Sequence, residues 1–127
     1  MEFDHAGIAT DDIDALASLY GDLFDTRVVH TEQLENIRVG FLDFGGSYFE
    51  LLEPTGGGPV DDYVADNGPG VHHLALRTPD IEAALARVKT SGADLIDEQP
   101  RPGAWGHDVA FIHPKSTGGI LLELVEH

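Results

Sequence analysis

The chain has no cysteine, which excludes disulfides, thiolate metal sites and cysteine nucleophiles and leaves any metal to nitrogen and oxygen ligands. Long hydrophobic runs are also missing. Nothing approaches the ~18 apolar residues of a bilayer span. The opening MEFDHAGIAT lacks the basic n-region and apolar core of a signal peptide. These absences predict a cytoplasmic protein. Basic residues are scarce: 7 Lys plus Arg stand against 23 Asp plus Glu, a net charge of −16 with histidines neutral. Nucleic acid and anionic membranes are therefore excluded as partners. So acidic a surface repels itself in dilute buffer and is relieved at ~1 M salt, where the screening length is roughly 3 Å, so a halophilic source is expected. What remains is ordinary for a globular chain. The 127 residues are 42% hydrophobic and 24% charged, which suits one domain able to bury roughly two thirds of its unfolded surface.

The chain repeats itself. His5-Ala6-Gly7-Ile8-Ala9-Thr10-Asp11-Asp12-Ile13-Asp14-Ala15-Leu16 returns 68 residues later as His73-Leu74-Ala75-Leu76-Arg77-Thr78-Pro79-Asp80-Ile81-Glu82-Ala83-Ala84. Each copy reads as an apolar strand beginning at a histidine, a Thr/Asp turn, and an amphipathic helix. The helix faces carry Ile13, Leu16, Leu19, Tyr20 and Leu23, or Ile81, Leu85 and Val88. Asp11 or Asp12, and Thr78 to Asp80, are the helix starts, while Gly21 and Gly92 are expected near the helix ends. Three strands follow in each half: Arg27–His30, Ile37–Phe44 and Tyr48–Leu52, then Asp94–Ile96, Val109–Ile112 and Ile120–Val125. The expected fold is α+β, a single domain of two tandem βαβββ modules forming a concave mixed sheet, with module one over about 1–54, a linker over about 55–70 and module two over about 71–127.

The repeat also carries polar residues to matched positions. His5 matches His73, and Glu50 in Tyr48-Phe49-Glu50-Leu51-Leu52 matches Glu123 in Ile120-Leu121-Leu122-Glu123-Leu124. Taken singly, each reads as a strand-end histidine or a solvent-facing glutamate. Four at once, two of them carboxylates inside apolar strands, read as a ligand set, because an unpartnered buried charge costs several kcal/mol. Strand alternation places Glu50 and Glu123 opposite Phe49, Leu51, Leu122 and Leu124. Two imidazoles and two carboxylates suit divalent zinc, cobalt, manganese, nickel or iron.

At these residues the chain resembles the vicinal oxygen chelate (glyoxalase/bleomycin resistance/dioxygenase) superfamily and, within it, the methylmalonyl-CoA epimerase family. The resemblance runs through His5–Ala9, Glu50-Leu51-Leu52-Glu53-Pro54, Gly70-Val71-His72-His73-Leu74-Ala75, Leu95–Arg101 and Phe111–Leu124. It implies that His5, Glu50, His73 and Glu123 hold a divalent metal (cobalt, manganese, nickel or zinc) and that Glu123 doubles as a catalytic base. The implied reaction interconverts (R)- and (S)-methylmalonyl-CoA by proton abstraction at C2, with the metal stabilising the developing enolate. The implied partner is an acyl-CoA, and the assembly a homodimer. Val39 stands where some members of the family carry a second carboxylate, so the second proton-transfer group falls to a water or a residue elsewhere. His113 and Lys115 before the glycine turn, and Arg101, Trp105 and His107 in a flap-like loop, are secondary candidates. His72 is expected to face away from the metal, and His30 and His127 to be incidental. Glyoxalase I chemistry and metal-free small-molecule binding are the alternative readings.

Overall fold

The computed structural model describes residues 1–127 and runs β1 (Glu2–Ala9), α1 (Ile13–Phe24), β2 (Val28–Leu34), β3 (Ile37–Asp43), β4 (Tyr48–Pro54), α2 (Pro59–Asn67), β5 (Gly70–Arg77), α3 (Ile81–Ser91), β6 (Arg101–Pro102), β7 (Asp108–Ile112) and β8 (Leu122–Glu126). It forms two βαβββ units, His5–His72 and His73–His127, the latter joined by Met1–Asp4. Within the first, the strand order is β2-β3-β4-β1, and within the second β5-β8-β7-β6. In both, the first strand pairs parallel with the last, and the remaining pairs are antiparallel.

The same chemistry starts both helices. Asp12 and Asp80 are N-caps in extended conformation, each accepting the amide of the third residue on, Ala15 or Ala83, at 3.0 Å. A second carboxylate arrives from the last strand of the same unit: Glu53 Oε1 accepts the Ile13 amide, and Glu126 Oε1 the Ile81 amide, each at 2.9 Å. Amides left open by the helix geometry are thus met twice over, and negative charge is put where the helix dipole favours it.

Each unit has its own core behind its strands. Ile8, Leu42 and Leu51 receive Ile13 of α1 in the first unit, with Leu16, Tyr20 and Phe49 packed around them. Ala110, Ile112 and Leu124 receive Ile81, Ala84 and Leu85 of α3 in the second, with Val88, Leu95 and Leu122 at the margin. The expected apolar face of α1 is only partly used: Leu19 and Leu23 are 50% and 60% exposed. Gly21 lies inside α1 instead of at its end. A Cβ there would stand 3.1 Å from the Thr26 carbonyl, so glycine permits the chain to fold back closely, and Asp25 at φ 52° takes the left-handed closing position. Gly92 closes α3 at φ 86° as expected.

Three strand expectations are corrected. β1 and β5 begin three residues before their histidines, so His5 and His73 are fourth in their strands. Asp94–Ile96 is not a strand: Leu95 makes one bridge to Ile112, and then the Asp97 carboxylate takes the Phe111 amide at 2.9 Å, ending the ladder. The third sheet partner is instead the two-residue β6. Finally, the last strand begins at Leu122 rather than Ile120.

Candidate metal centre

In the first unit, His5 pairs across the sheet with Tyr48, and Glu50 lies one same-face position further along β4, opposite Gly7. Parallel pairing keeps both side chains on the face away from α1. His5 Nε2 and Glu50 Oε1 stand 3.3 Å apart, and the residues are 3% and 6% exposed. Phe41 on β3 is the cross-strand partner of Glu50. Its ring meets the His5 ring edge-on at 5.9 Å and 85°.

The second unit repeats this arrangement independently. His73 Nε2 and Glu123 Oε1 are 3.1 Å apart, with the residues 4% and 6% exposed. Glu123 pairs with Ala75 on β5 and with Phe111 on β7. The Phe111 ring meets the His73 ring edge-on at 5.5 Å and 84°. Each unit therefore builds a buried imidazole–carboxylate pair beside an aromatic ring that excludes water. Phe41 and Phe111 were not among the residues picked from the sequence. Their signal was available, since each sits in the strand before the glutamate at the position that faces it.

The donor set fits a divalent metal. Two donors each about 2.1 Å from one ion are separated by roughly 3.0 Å at octahedral angles and 3.4 Å at tetrahedral ones, and the observed 3.3 Å and 3.1 Å fall within that interval. Nitrogen and carboxylate oxygen are the ligands expected for zinc, cobalt, manganese or nickel.

The other candidates resolve into local structure. His113 Nδ1 accepts the Lys115 amide at 3.1 Å, and Lys115 Nζ reaches Asp94 at 3.3 Å. His72 is half-buried beside Tyr63, with ring centroids 5.3 Å apart, and alternates with the buried His73. Arg101 lies over the Phe111 ring at 5.5 Å and pairs with Asp97. His127 Nε2 lies 2.6 Å from Oδ1 of Asp4, a residue 2% exposed, and Arg77 Nε donates to the same oxygen at 2.8 Å. The His127 ring stacks on His107 at 3.8 Å, and His107 stacks on Trp105, whose φ of 62° is rare for a bulky residue. This cluster ties the first residues of the chain to the last. His30 Nε2 lies 3.3 Å from Glu32 Oε2.

Residues 4–111 match the model of the Glyoxalase/Bleomycin resistance protein/Dioxygenase superfamily. Among curated proteins, the chain is 36% identical to the uncharacterized YqjC of Bacillus subtilis, over 97% of this chain and 90% of that protein. It is 34% identical to the ethylmalonyl-CoA/methylmalonyl-CoA epimerase of Cereibacter sphaeroides, over 94% of this chain and 93% of that enzyme. Among solved structures, a methylmalonyl-CoA epimerase in complex with methylmalonyl-CoA and NH4+ superposes with a TM-score of 0.93 at 39% identity, covering 98% of this chain and 93% of that one.

Proposed function

We propose, from the premise that this chain belongs to the glyoxalase/bleomycin resistance protein/dioxygenase superfamily, that it is a metal-dependent epimerase interconverting (R)- and (S)-methylmalonyl-CoA. The observation that carries this reading is nearly full-length similarity to named epimerases, one of them solved with methylmalonyl-CoA. The two buried imidazole–carboxylate pairs add the chemistry.

His5, Glu50, His73 and Glu123 would together hold one divalent cation: cobalt, manganese, nickel or zinc. When bound, the cation supplies a Lewis acid for the oxygens of the acyl-CoA, which acidifies C2. Glu123 takes the C2 proton as general base. His5 and His73 would each offer Nε2 as a donor beside the carboxylate of the same unit. The Phe41 and Phe111 rings keep water from these pairs and strengthen every electrostatic contact there.

The acyl-CoA is the small-molecule partner in this reading. Residues 1–127 act as one domain, with modules over about 1–54 and 71–127 and a linker over about 55–70. The protein is cytoplasmic and homodimeric, and its net charge of −16 suits a salt-rich interior. No helix is long and apolar enough to cross a membrane. Exposed Leu19, Leu23 and Phe24 on α1 offer apolar surface for a second copy.

The test is proton NMR of metal-loaded protein in deuterium oxide, following C2 of one methylmalonyl-CoA epimer beside a chelator-treated control. Metal-dependent loss of the C2 proton with appearance of the other epimer is the expected result. No exchange despite bound metal refutes the reading and directs the assay to the hemithioacetal of methylglyoxal. Failure to bind any divalent metal leaves the binding-protein reading in its place.

A further inference from the structure

We propose that Glu32, held by His30, is the second proton-transfer group of this site, acting on the face of C2 that Glu123 does not serve. This rests on the epimerase reading above and adds a residue to it. The placement is set by register within the first unit. Glu32 pairs with Val39 and His30 with Phe41 across β2 and β3, while Val39 pairs with Leu52 and Phe41 with Glu50 across β3 and β4. Directly paired residues share a face. His30 and Glu32 therefore stand on the face that carries His5 and Glu50.

Burial agrees. Along β2, His30, Glu32 and Leu34 are half-buried while Val29, Thr31 and Gln33 are exposed. The alternation covers the site face and not the other. A register shift between Val28 and His30 bulges the strand immediately before the pair, the kind of irregularity that re-aims side chains beside active sites. The two side chains are joined by the 3.3 Å contact of His30 Nε2 with Glu32 Oε2. The His30 ring lies 6.1 Å from the Phe41 ring, which in turn meets His5 at 5.9 Å. Between Glu32 and β4 lie two strand spacings, about 10 Å. Val39, Phe41 and Leu52 lie between them on that face, all 5% exposed or less. None of these three residues can move a proton.

The step balances without any redox partner. Glu123 accepts the proton from one face of C2 as the C–H pair moves into the bond toward the thioester carbon. A protonated Glu32 returns a proton to the other face as that pair comes back to C2. Glu123 ends protonated and Glu32 ionised, and exchange with solvent resets both. His30 acts as a positioning residue through its contact with Oε2.

The experiment compares wild type with Glu32→Gln in deuterium oxide, starting separately from each epimer, with bound cobalt and the melting temperature measured on both proteins. Glu32→Gln is expected to bind as much cobalt as wild type and to melt within about 2 °C of it, because the change is isosteric on a part-exposed strand. Interconversion is expected to fall about 10²- to 10⁴-fold, the usual worth of a general acid or base. One epimer, the one whose C2–H faces Glu123, keeps exchanging its proton without inverting, and the other stops exchanging. His30→Phe keeps the ring against Phe41 but loses the contact to Glu32, and should show the same asymmetry with kcat down about 3- to 10-fold and KM unchanged. Interconversion by Glu32→Gln within about threefold of wild type, or equal loss of exchange from both epimers, overturns this inference alone. Absence of exchange in wild type overturns the epimerase reading and this inference with it.

Discussion

Replacing Glu50 by leucine should make the metal-free protein more stable and the metal-loaded protein less so. Glu50 is 6% exposed, with Phe41 as its cross-strand neighbour and His5 Nε2 at 3.3 Å. Without a cation, a carboxylate there bears a desolvation cost of several kcal/mol that its imidazole contact offsets only in part. Leucine has similar volume and no such cost. Against that gain, His5 gives up its 3.3 Å contact, worth about 1–3 kcal/mol in a buried site. The difference favours leucine by about 1–2 kcal/mol, a rise in melting temperature of about 3–6 °C for a chain of this length. With cobalt the order reverses. Wild type gains about 2.7 kcal/mol at a metal concentration 100 times Kd, and Glu50→Leu, without one of the proposed ligands, gains much less. Thermal melts of both proteins with EDTA and with cobalt give all four values. A Glu50→Leu protein that melts below wild type in EDTA would refute the argument by making Glu50 a structural residue. An undiminished cobalt shift would remove Glu50 from the ligand set.

Two further outcomes follow from the fold and the charge. Glu53→Ala and Glu126→Ala each remove a 2.9 Å charged acceptor from the first amide of a helix, and urea titration should show each losing about 1.5–3 kcal/mol; a loss below about 0.5 kcal/mol would mean that Asp12 or Asp80 alone suffices to start its helix. With a net charge of −16, the melting temperature should climb between ~0.1 M and ~1 M potassium chloride as self-repulsion is screened, and a fall over that range would show that the acidic surface does not limit stability.

The buried imidazole–carboxylate pairs were legible in the sequence because burial made their pattern unusual. A glutamate between leucines is costly in a strand, and its recurrence at the same place in a repeat leaves few explanations besides a shared ligand role. The helix starts were legible for a related reason: Asp12 and Asp80 occupy positions where only a short polar side chain can reach the open amides. Asp94–Ile96 misled because Leu95 does pack against the second core, while Ile96 is exposed and the ladder ends where the Asp97 side chain accepts the Phe111 amide. No strand pattern reveals a side chain taking a backbone amide. Leu19 and Leu23 misled through periodicity, which says that residues share a face but not that the face is covered.

The His30–Glu32 pair was hidden for a different physical reason. Strand alternation shows which residues face the core only when the two faces differ in polarity. His30, Thr31, Glu32 and Gln33 are all polar, so β2 carries no contrast, and the sheet face of each residue follows only from its pairing with β3. The second unit could not supply the missing signal either. Where the first unit has the seven-residue β2, the second has the two-residue β6, Arg101–Pro102, and the repeat that exposed the two buried imidazole–carboxylate pairs has no counterpart there. A duplicated module offers identical side chains to both halves of a site, whereas taking a proton from one face of a carbon and returning one to the other needs two groups in different places. On this argument the residues proposed to hold a metal belong to the repeated strands, and the residue proposed to make the two directions of the reaction distinct belongs to the edge strand where the halves have diverged.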